Sequence, residues 1–306
     1  MSDYIEHNFS IMSFTDDENW IILSNKIESS IRKKINDYGV RLSNWDLSIK
    51  RGILTGYNEA FIIDEIIKND LISSDPKSAE IIRPILRGKD INRYGYSYQG
   101  LYLICTFPSK KYNIEKYPAV KKHLLKFGEK RLAQSGEKNI DGIEGYNARK
   151  KTSNKWFETQ DQINYWDDFN KQKIIYPCIM TAEPRFMLDR SGYYYTIAPG
   201  NIISGNHLMY LLAFLNSKIC YFVLRKFFMG GGIEGELKTN RLLSLPIPLP
   251  NSQLESLIVD NVELLLYEYD NSGFITESIL QKIDLLVAQA YNLSENEFKY
   301  IKNYEY

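Results

Sequence analysis

The chain has 306 residues, 44% of them hydrophobic and 25% charged, the composition of an ordinary globular protein with room for one large domain or two smaller ones. Its formal net charge is zero, so overall charge argues neither for nor against a polyanionic partner. Cys105, Cys178 and Cys220 are far apart, form no Cys-x-x-Cys and are joined by only three histidines, which argues against a zinc site. An odd cysteine count without a visible secretion signal points to a reducing cytoplasm. Tyrosine is common, with 23 residues against 14 Phe and 4 Trp. That excess suits surfaces that are half apolar and half hydrogen-bonding, and an AT-rich genome would produce it equally well.

From the N-terminus, Trp20, Leu23, Ile27, Ile31 and Ile35 recur at helical spacing and predict a helix over residues 16–38 that ends near Gly39. A glycine-punctuated stretch from Ser48 leads into Ala60 to Asp64, which has the pattern of a strand. Asp75-Pro76 has the form of an N-cap followed by a first-turn proline, and Pro84 is expected to close that short helix. Leu101 to Cys105 reads as a buried strand, and residues 120–127 have helical character. Residues 134–155, rich in Gly, Lys and Asn, are expected to form an exposed loop. Lys173 to Tyr176 and Phe186 to Leu188 read as short strands.

One long helix is expected over 206–228, with Leu208, Leu211, Leu212, Leu215, Ile219 and Phe222 on one face. Asn216, Ser217, Lys218 and Arg225 interrupt its apolar run, which argues for a buried helix and against a membrane span. Gly230 to Gly232 ends it, and Pro246, Pro248 and Pro250 form a stiff connector at which a domain boundary is placed. Beyond it, Ser252 and Glu255 form a capping-box pattern, and Thr276 is placed to cap a second helix. Ser294 and Glu297 form another box, with Leu293 and Phe298 as its staple. The predicted organisation is a helical lead-in over 1–40, a central domain over 41–250 and a helical C-terminal region over 251–306. The fold class is α+β, with an irregular, mostly-β central domain followed by a small helical tail.

The charge is unevenly distributed. Pro108 to Glu158 carries 13 Lys or Arg against 6 Asp or Glu, a local net of +7, whereas Asn251 to Tyr306 carries 3 against 10, a local net of −7. The first segment suits a polyanion and the second would repel one. Lys110, Lys111, Lys121, Lys122, Lys126, Lys130 and Arg131 are dense enough to track a phosphate backbone, and Arg149, Lys150, Lys151 and Lys155 follow beside Tyr146 and Trp156. A solvated basic face would have the same composition. Arg149 is the candidate for a bidentate contact to guanine, and Asn147 or Asn154 for one to adenine; Arg185, between two strand candidates, is a further candidate. Asp167, Asp168 and Glu183 have no histidine near them in sequence and read as structural or solvated carboxylates.

The block Arg51-Gly52-Ile53-Leu54-Thr55-Gly56-Tyr57-Asn58-Glu59-Ala60-Phe61 resembles the opening of the TaqI-like C-terminal specificity domain, found in type IIG restriction–methyltransferases and related adenine methyltransferases. Further blocks follow in that family's order: Ile82 to Ile91, Lys173 to Pro177, Leu211 to Lys218, Leu245 to Pro248, and the tail from Ile283 to Ser294. The resemblance covers roughly residues 40–300. It implies sequence-specific recognition of double-stranded DNA in the bacterial cytoplasm on behalf of a methyltransferase or nuclease part, with no catalytic centre, cofactor or metal in this chain. S-adenosylmethionine, and Mg for any nuclease, would be bound by that partner. The family's methyltransferase motif Asn-Pro-Pro-Tyr and its Gly-rich cofactor loop do not occur in this sequence.

Two alternatives stay open: half of a type I-like specificity subunit, or a metal-dependent DNA endonuclease using Glu236 and Lys238 of the Glu236-Leu237-Lys238 triplet. Arg51, Thr55 and Asn58 either touch DNA or build the turn that holds them. Gly230 to Gly232 either permits close approach to a phosphate or stops a helix.

Overall fold

The structure, a computed structural model, describes residues 26–228 and 235–304. The predicted helical residues 16–25 and the Gly230 to Gly232 run lie outside the described residues. In chain order the main elements are α1 (Lys26–Tyr38), β1 (Val40–Arg41), β2 (Leu47–Arg51), β3 (Ile62–Asp64), α2 (Glu65–Ser74), β4 (Ile82–Leu86), β5 (Leu101–Ile104) and α3 (Pro118–Leu125). They continue with β6 (Lys173–Pro177), β7 (Met187–Asp189), β8 (Tyr195–Thr196), β9 (Gly200–Gly205), α4 (Leu208–Asn216), α5 (Lys218–Val223), β10 (Pro246–Ile247), α6 (Ser252–Ser272), α7 (Glu277–Ala290) and α8 (Glu295–Lys302). The fold is α+β. It forms two compact units: a central unit of Ser48–Cys178 and Arg185–Leu208, and a helical unit made of the segment ending at Leu47, Ile179–Pro184 and the segment starting at Met209.

The central unit is built on two four-stranded sheets, ordered β2-β9-β6-β7 and β3-β5-β4-β8. In the first, β6 is antiparallel to both β9 and β7, with Ile174 opposite Ile203 and Leu188. In the second, β5 is antiparallel to β3 and β4, while β4 runs parallel to β8. Phe61, Leu103, Ile104, Val120, Leu124, Phe169 and Ile175 are buried in one continuous apolar core. The run Ala60 to Asp64 is only partly a strand, because Asn58–Phe61 makes one helical turn before β3 begins. Asp75 does cap a short helix, accepting from the Lys77 N–H, but that helix stops at Glu80. Pro84 lies inside β4, at the point where the strand leaves β5 and takes up β8 from Ile85 onward. A proline lacks an N–H to donate, and at such a handover the ladder loses little by it.

Lys173 and Asp189 face each other across the β6–β7 ladder, Nζ to Oδ2 2.6 Å, with both side chains buried. The ammonium also donates to the Phe169 carbonyl at 2.7 Å, and the carboxylate accepts from the N–H groups of Tyr193 and Tyr194. Burial lowers the Lys173 pKa against the pull of Asp189. A buried pair so fully hydrogen-bonded fixes the register of the hairpin, since removing either charge strands the other.

In the helical unit α1 buries Ile31 and Ile35 and ends at Gly39, whose N–H bonds the Ile35 carbonyl at 3.0 Å. A Cβ at Gly39 would lie 2.6 Å from the Pro246 side chain. Pro246 itself belongs to a two-residue strand, β10, paired antiparallel with β1. The single helix expected over 206–228 is instead two helices bent by 62° at Ser217, whose hydroxyl accepts the Cys220 N–H and caps α5. Residues from Leu211 to Leu224 are buried nearly throughout, as a helix apolar on all sides must be. No single helix among the described residues is long and apolar enough to cross a membrane.

Helix α6 is capped by Asn251, whose side chain accepts the Leu254 N–H, so the helix begins at the residue expected to cap it. Thr276 is the N-cap residue of α7, but its hydroxyl donates to Glu268 rather than receiving a helix N–H. The Asp284 carboxylate accepts the Lys218 N–H at 2.9 Å and the Tyr291 hydroxyl donates to the Pro246 carbonyl at 2.7 Å. The boundary expected at Pro250 thus falls inside the helical unit, because the tail helices pack on α5 and β10.

The Ser294–Glu297 capping box forms in both directions. Glu297 also accepts from Lys34 at 2.7 Å and Ser30 at 2.6 Å, which ties α8 to α1. Burial alone would raise the Glu297 pKa; the hydrogen bonds from Lys34, Ser30 and Ser294 outweigh it and hold the carboxyl at about 2. A folded pKa below the unfolded one gives stability that is complete above the unfolded value and lost as pH falls through the folded value. Stability measured by urea unfolding is therefore expected to decline between about pH 5 and 2, and Glu297→Gln to cost on the order of 2 kcal/mol at neutral pH and flatten that decline. An unchanged acid limb in Glu297→Gln would show that Glu297 contributes nothing to it.

Candidate functional site

The block that opens at Gly52 is a turn built from its own side chains. Gly52 donates to the Gly200 carbonyl at 2.7 Å, and a Cβ there would sit 2.7 Å from that oxygen and from the Ile197 backbone. Gly56 adopts φ +77°, which favours glycine. The buried Thr55 hydroxyl donates to Asn58 Oδ1 at 2.6 Å and accepts the Tyr57 N–H. Thr55 and Asn58 are therefore occupied in shaping the turn. Arg51 is exposed, and its carbonyl receives the Tyr165 hydroxyl at 2.9 Å.

The basic segment begins beside this turn. Helix α3 starts on Pro118, as its fixed φ allows, and buries Val120, His123 and Leu124. His123 Nε2 lies 3.2 Å from the Ala60 carbonyl, and burial lowers its pKa. Lys122 and Lys126 are exposed on the outer side of α3, and Lys111 is exposed ahead of it. Part of the local charge is engaged internally. Lys121 binds Glu115 at 2.6 Å, Lys130 binds Asp141 at 2.5 Å, and Lys110 Nζ lies 3.0 Å from the centre of the Trp166 ring. The Arg131 guanidinium stacks on Tyr57 at 4.6 Å and Tyr146 at 5.6 Å.

The stretch expected to be an exposed loop is a hairpin-like arm with a buried root. Residues 133–137 and 148–152 run antiparallel, joined by hydrogen bonds Arg149 N to Ala133 O, Gly136 N to Arg149 O, Ala148 N to Glu137 O and Thr152 N to Gln134 O, all 2.9–3.0 Å. The Gln134 amide is buried and donates to the Lys155, Glu158 and Thr159 carbonyls while accepting the Thr152 hydroxyl. Asn154 donates to the Gln160 carbonyl at 2.8 Å and accepts from Gln162, so it too is part of the root.

Arg149, expected to read guanine, is instead only 3% exposed. Its Nε donates to Leu132 O, one Nη to Thr55 O and Glu158 O, and the other to Trp156 O, all at 2.6–2.7 Å. The guanidinium carbon lies 5.1 Å from the centre of the Phe61 ring. Burial pulls its pKa down to about 10, so it stays charged at neutral pH. Four of the five Arg149 N–H groups end on main-chain carbonyls, and the residue clamps the arm to the turn. Sequence spacing gave no sign of this, because the acceptors are main-chain atoms from distant positions.

Lys150, Lys151 and Lys155 are exposed around that root, and Asn147 is half-buried with its Oδ1 accepting the Asn139 N–H. Arg185 is half-buried ahead of β7, outside the basic segment. Asp167 and Asp168 pair with Lys171 at 3.3 and 3.6 Å, and Glu183 is exposed. Glu236 and Lys238, in the helical unit, lie 3.8 Å apart. Among the described residues no group of three or more His, Cys, Asp or Glu could hold a metal ion.

The sequence profile of the TaqI-like C-terminal specificity domain matches residues 83–247, more than half of the chain. The chain belongs to that family. This TaqI-like specificity domain is similar to the type II methyltransferase M.MjaIV of Methanocaldococcus jannaschii, at 26% identity over 295 residues, 91% of this chain and 90% of that protein. Its fold is that found in the type IIL restriction–modification enzyme MmeI, solved in complex with DNA. That match has a TM-score of 0.56 and 14% identity, over 86% of this chain and 36% of MmeI. The type IIG restriction endonuclease BpuSI is matched at a TM-score of 0.49 and 13% identity, over 89% of this chain and 33% of its own. The specificity domain thus spans about a third of the length of the solved enzymes it matches.

Replacing Arg149 tests its part in the specificity domain. Arg149→Lys keeps the charge but cannot reach four carbonyls, and is expected to cost about 3 kcal/mol in urea unfolding. Unchanged unfolding stability in Arg149→Lys would show that the buried guanidinium does not hold the arm.

Proposed function

We propose that this specificity domain reads double-stranded DNA as the target-recognition part of a type II, IIG-like restriction–modification enzyme. In that reading it holds a methyltransferase or nuclease part, on another domain or chain, over a target adenine. The observation that carries the proposal is the exposed lysine set: Lys122 and Lys126 on α3, and Lys150, Lys151 and Lys155 on an arm whose root has its own polar groups satisfied internally. Lysines on phosphates supply affinity and register, and side chains on base edges supply sequence choice. With Arg149 committed to the clamp, base reading falls to Asn147 and to the exposed side chains of the arm.

S-adenosylmethionine belongs to the partner in this reading. Its usual cradle is a parallel strand–helix unit with a glycine-rich turn at a helix N-terminus. Among the described strands the parallel ladder is confined to β4 and β8, which supports assigning that cofactor to the partner. Calorimetric titration with S-adenosylmethionine is expected to show no binding; micromolar binding by this chain would overturn the assignment to a recognition part.

Phosphate neutralisation releases counterions, so affinity should fall with salt at a slope of about −0.9 per phosphate contacted. Changing Lys122, Lys126, Lys150 and Lys151 together to Glu should weaken binding to all sequences and flatten that slope, read by gel shift at several salt concentrations. Equal affinity and slope in the variant would move the interface elsewhere.

A further inference from the structure

The tip of the arm, residues 138–147, is shaped by its own hydrogen bonds; it exposes Lys138, Asp141 and Glu144 beside an apolar point, with Glu137, Lys150 and Lys151 on the limbs behind it. Asn139 and Asp141 adopt φ of +52° and +54°, and Gly142 and Gly145 φ of +76° and +77°. Four hydrogen bonds lock this conformation: Ile140 N to Tyr146 O at 2.7 Å, Ile143 N to Ile140 O at 3.1 Å, Gly145 N to Asn139 Oδ1 at 3.0 Å and Asn139 N to Asn147 Oδ1 at 3.0 Å. Lys130 pins the tip from outside through Asp141. Two isoleucines three residues apart then face opposite fates. Ile140 is wholly buried and anchors the tip, whereas Ile143 is 58% exposed at its end. Lys138, Lys150 and Lys151 are exposed on the two limbs behind it.

A large apolar side chain held out in water on a hydrogen-bonded loop, with lysines on the limbs behind it and Asp141 neutralised by Lys130, matches the chemistry of the interior of a nucleic-acid groove. There the cations meet phosphates and the apolar group meets base faces. The major groove admits a two-stranded ribbon of the arm's kind. We propose that Ile143 is an apolar wedge: the arm enters a groove of the duplex, and Ile143 inserts at one base step and unstacks it. The inference rests on the DNA-reading function proposed above and names the residue that deforms the target.

The test uses the full chain and a duplex it selects from a randomised pool, with 2-aminopurine placed in turn at each adenine. Binding is expected to brighten the probe at one step, reporting loss of stacking there. Ile143→Ser should abolish the brightening and weaken binding roughly tenfold, while keeping the salt slope of the parent; Ile143→Leu should restore the signal. Since Ile143 is exposed, neither change disturbs the core. A selected duplex with no brightening at any position, or brightening that survives Ile143→Ser, overturns the wedge and leaves DNA reading intact. Failure to select any duplex overturns DNA reading and the wedge with it.

Discussion

A guanidinium carries five N–H donors in a rigid plane, and burying one demands acceptors in matching directions. Arg149 places four of those donors on carbonyls from residues 55, 132, 156 and 158, which belong to three separate stretches of chain. The arrangement works in both directions. The carbonyls offset the desolvation of the charge, and the charge satisfies carbonyls that irregular backbone would otherwise leave unpaired. The turn at Thr55, the end of the helical turn Glu129–Leu132 and the return of the arm at Trp156 all converge on this one side chain. The arm has little regular structure of its own, so its position depends on that convergence.

Many side chains of the blocks that carry the family resemblance build the scaffold. Gly52 and Gly56 permit close backbone approach and a left-handed turn, and Thr55 with Asn58 shapes it. Within the block Ile82 to Ile91, Arg87 makes a bidentate pair with Asp90 at 2.8 and 2.9 Å. Lys173 of the next block is locked on Asp189, and Ser217 of the following one caps α5. The longest interval between these blocks contains α3 and the arm.

Much of the fold was legible because the responsible forces are local. The strands around Leu103 and Ile175, the helix after Pro118 and the Ser294–Glu297 box each follow from apolar period, a proline or a capping pair within a few residues. Pro84 was misleading because its local veto on helix says nothing of where a strand changes partners. The bend at Ser217 was hidden because the apolar period runs through it, although a serine three residues before Cys220 is the signal of a cap. The site was the least legible part. A run of Lys and Arg reads as a solvated face, and only the tertiary fold reveals that Arg149 is inside while Lys150 and Lys151 are outside.

The clamp also has an evolutionary consequence. Leu132 and Trp156 hold Arg149 through main-chain oxygens, which every amino acid possesses, while Glu158 adds the attraction of its carboxylate. Mutation at those positions, or along the arm beyond them, leaves the acceptors in place as long as the backbone path is kept. A lineage can therefore rewrite the arm by single substitutions without first dismantling its attachment. Constraint gathers on Arg149, on the buried Gln134 and Ile140 and on the left-handed residues of the tip, and the exposed positions between them are freer to drift.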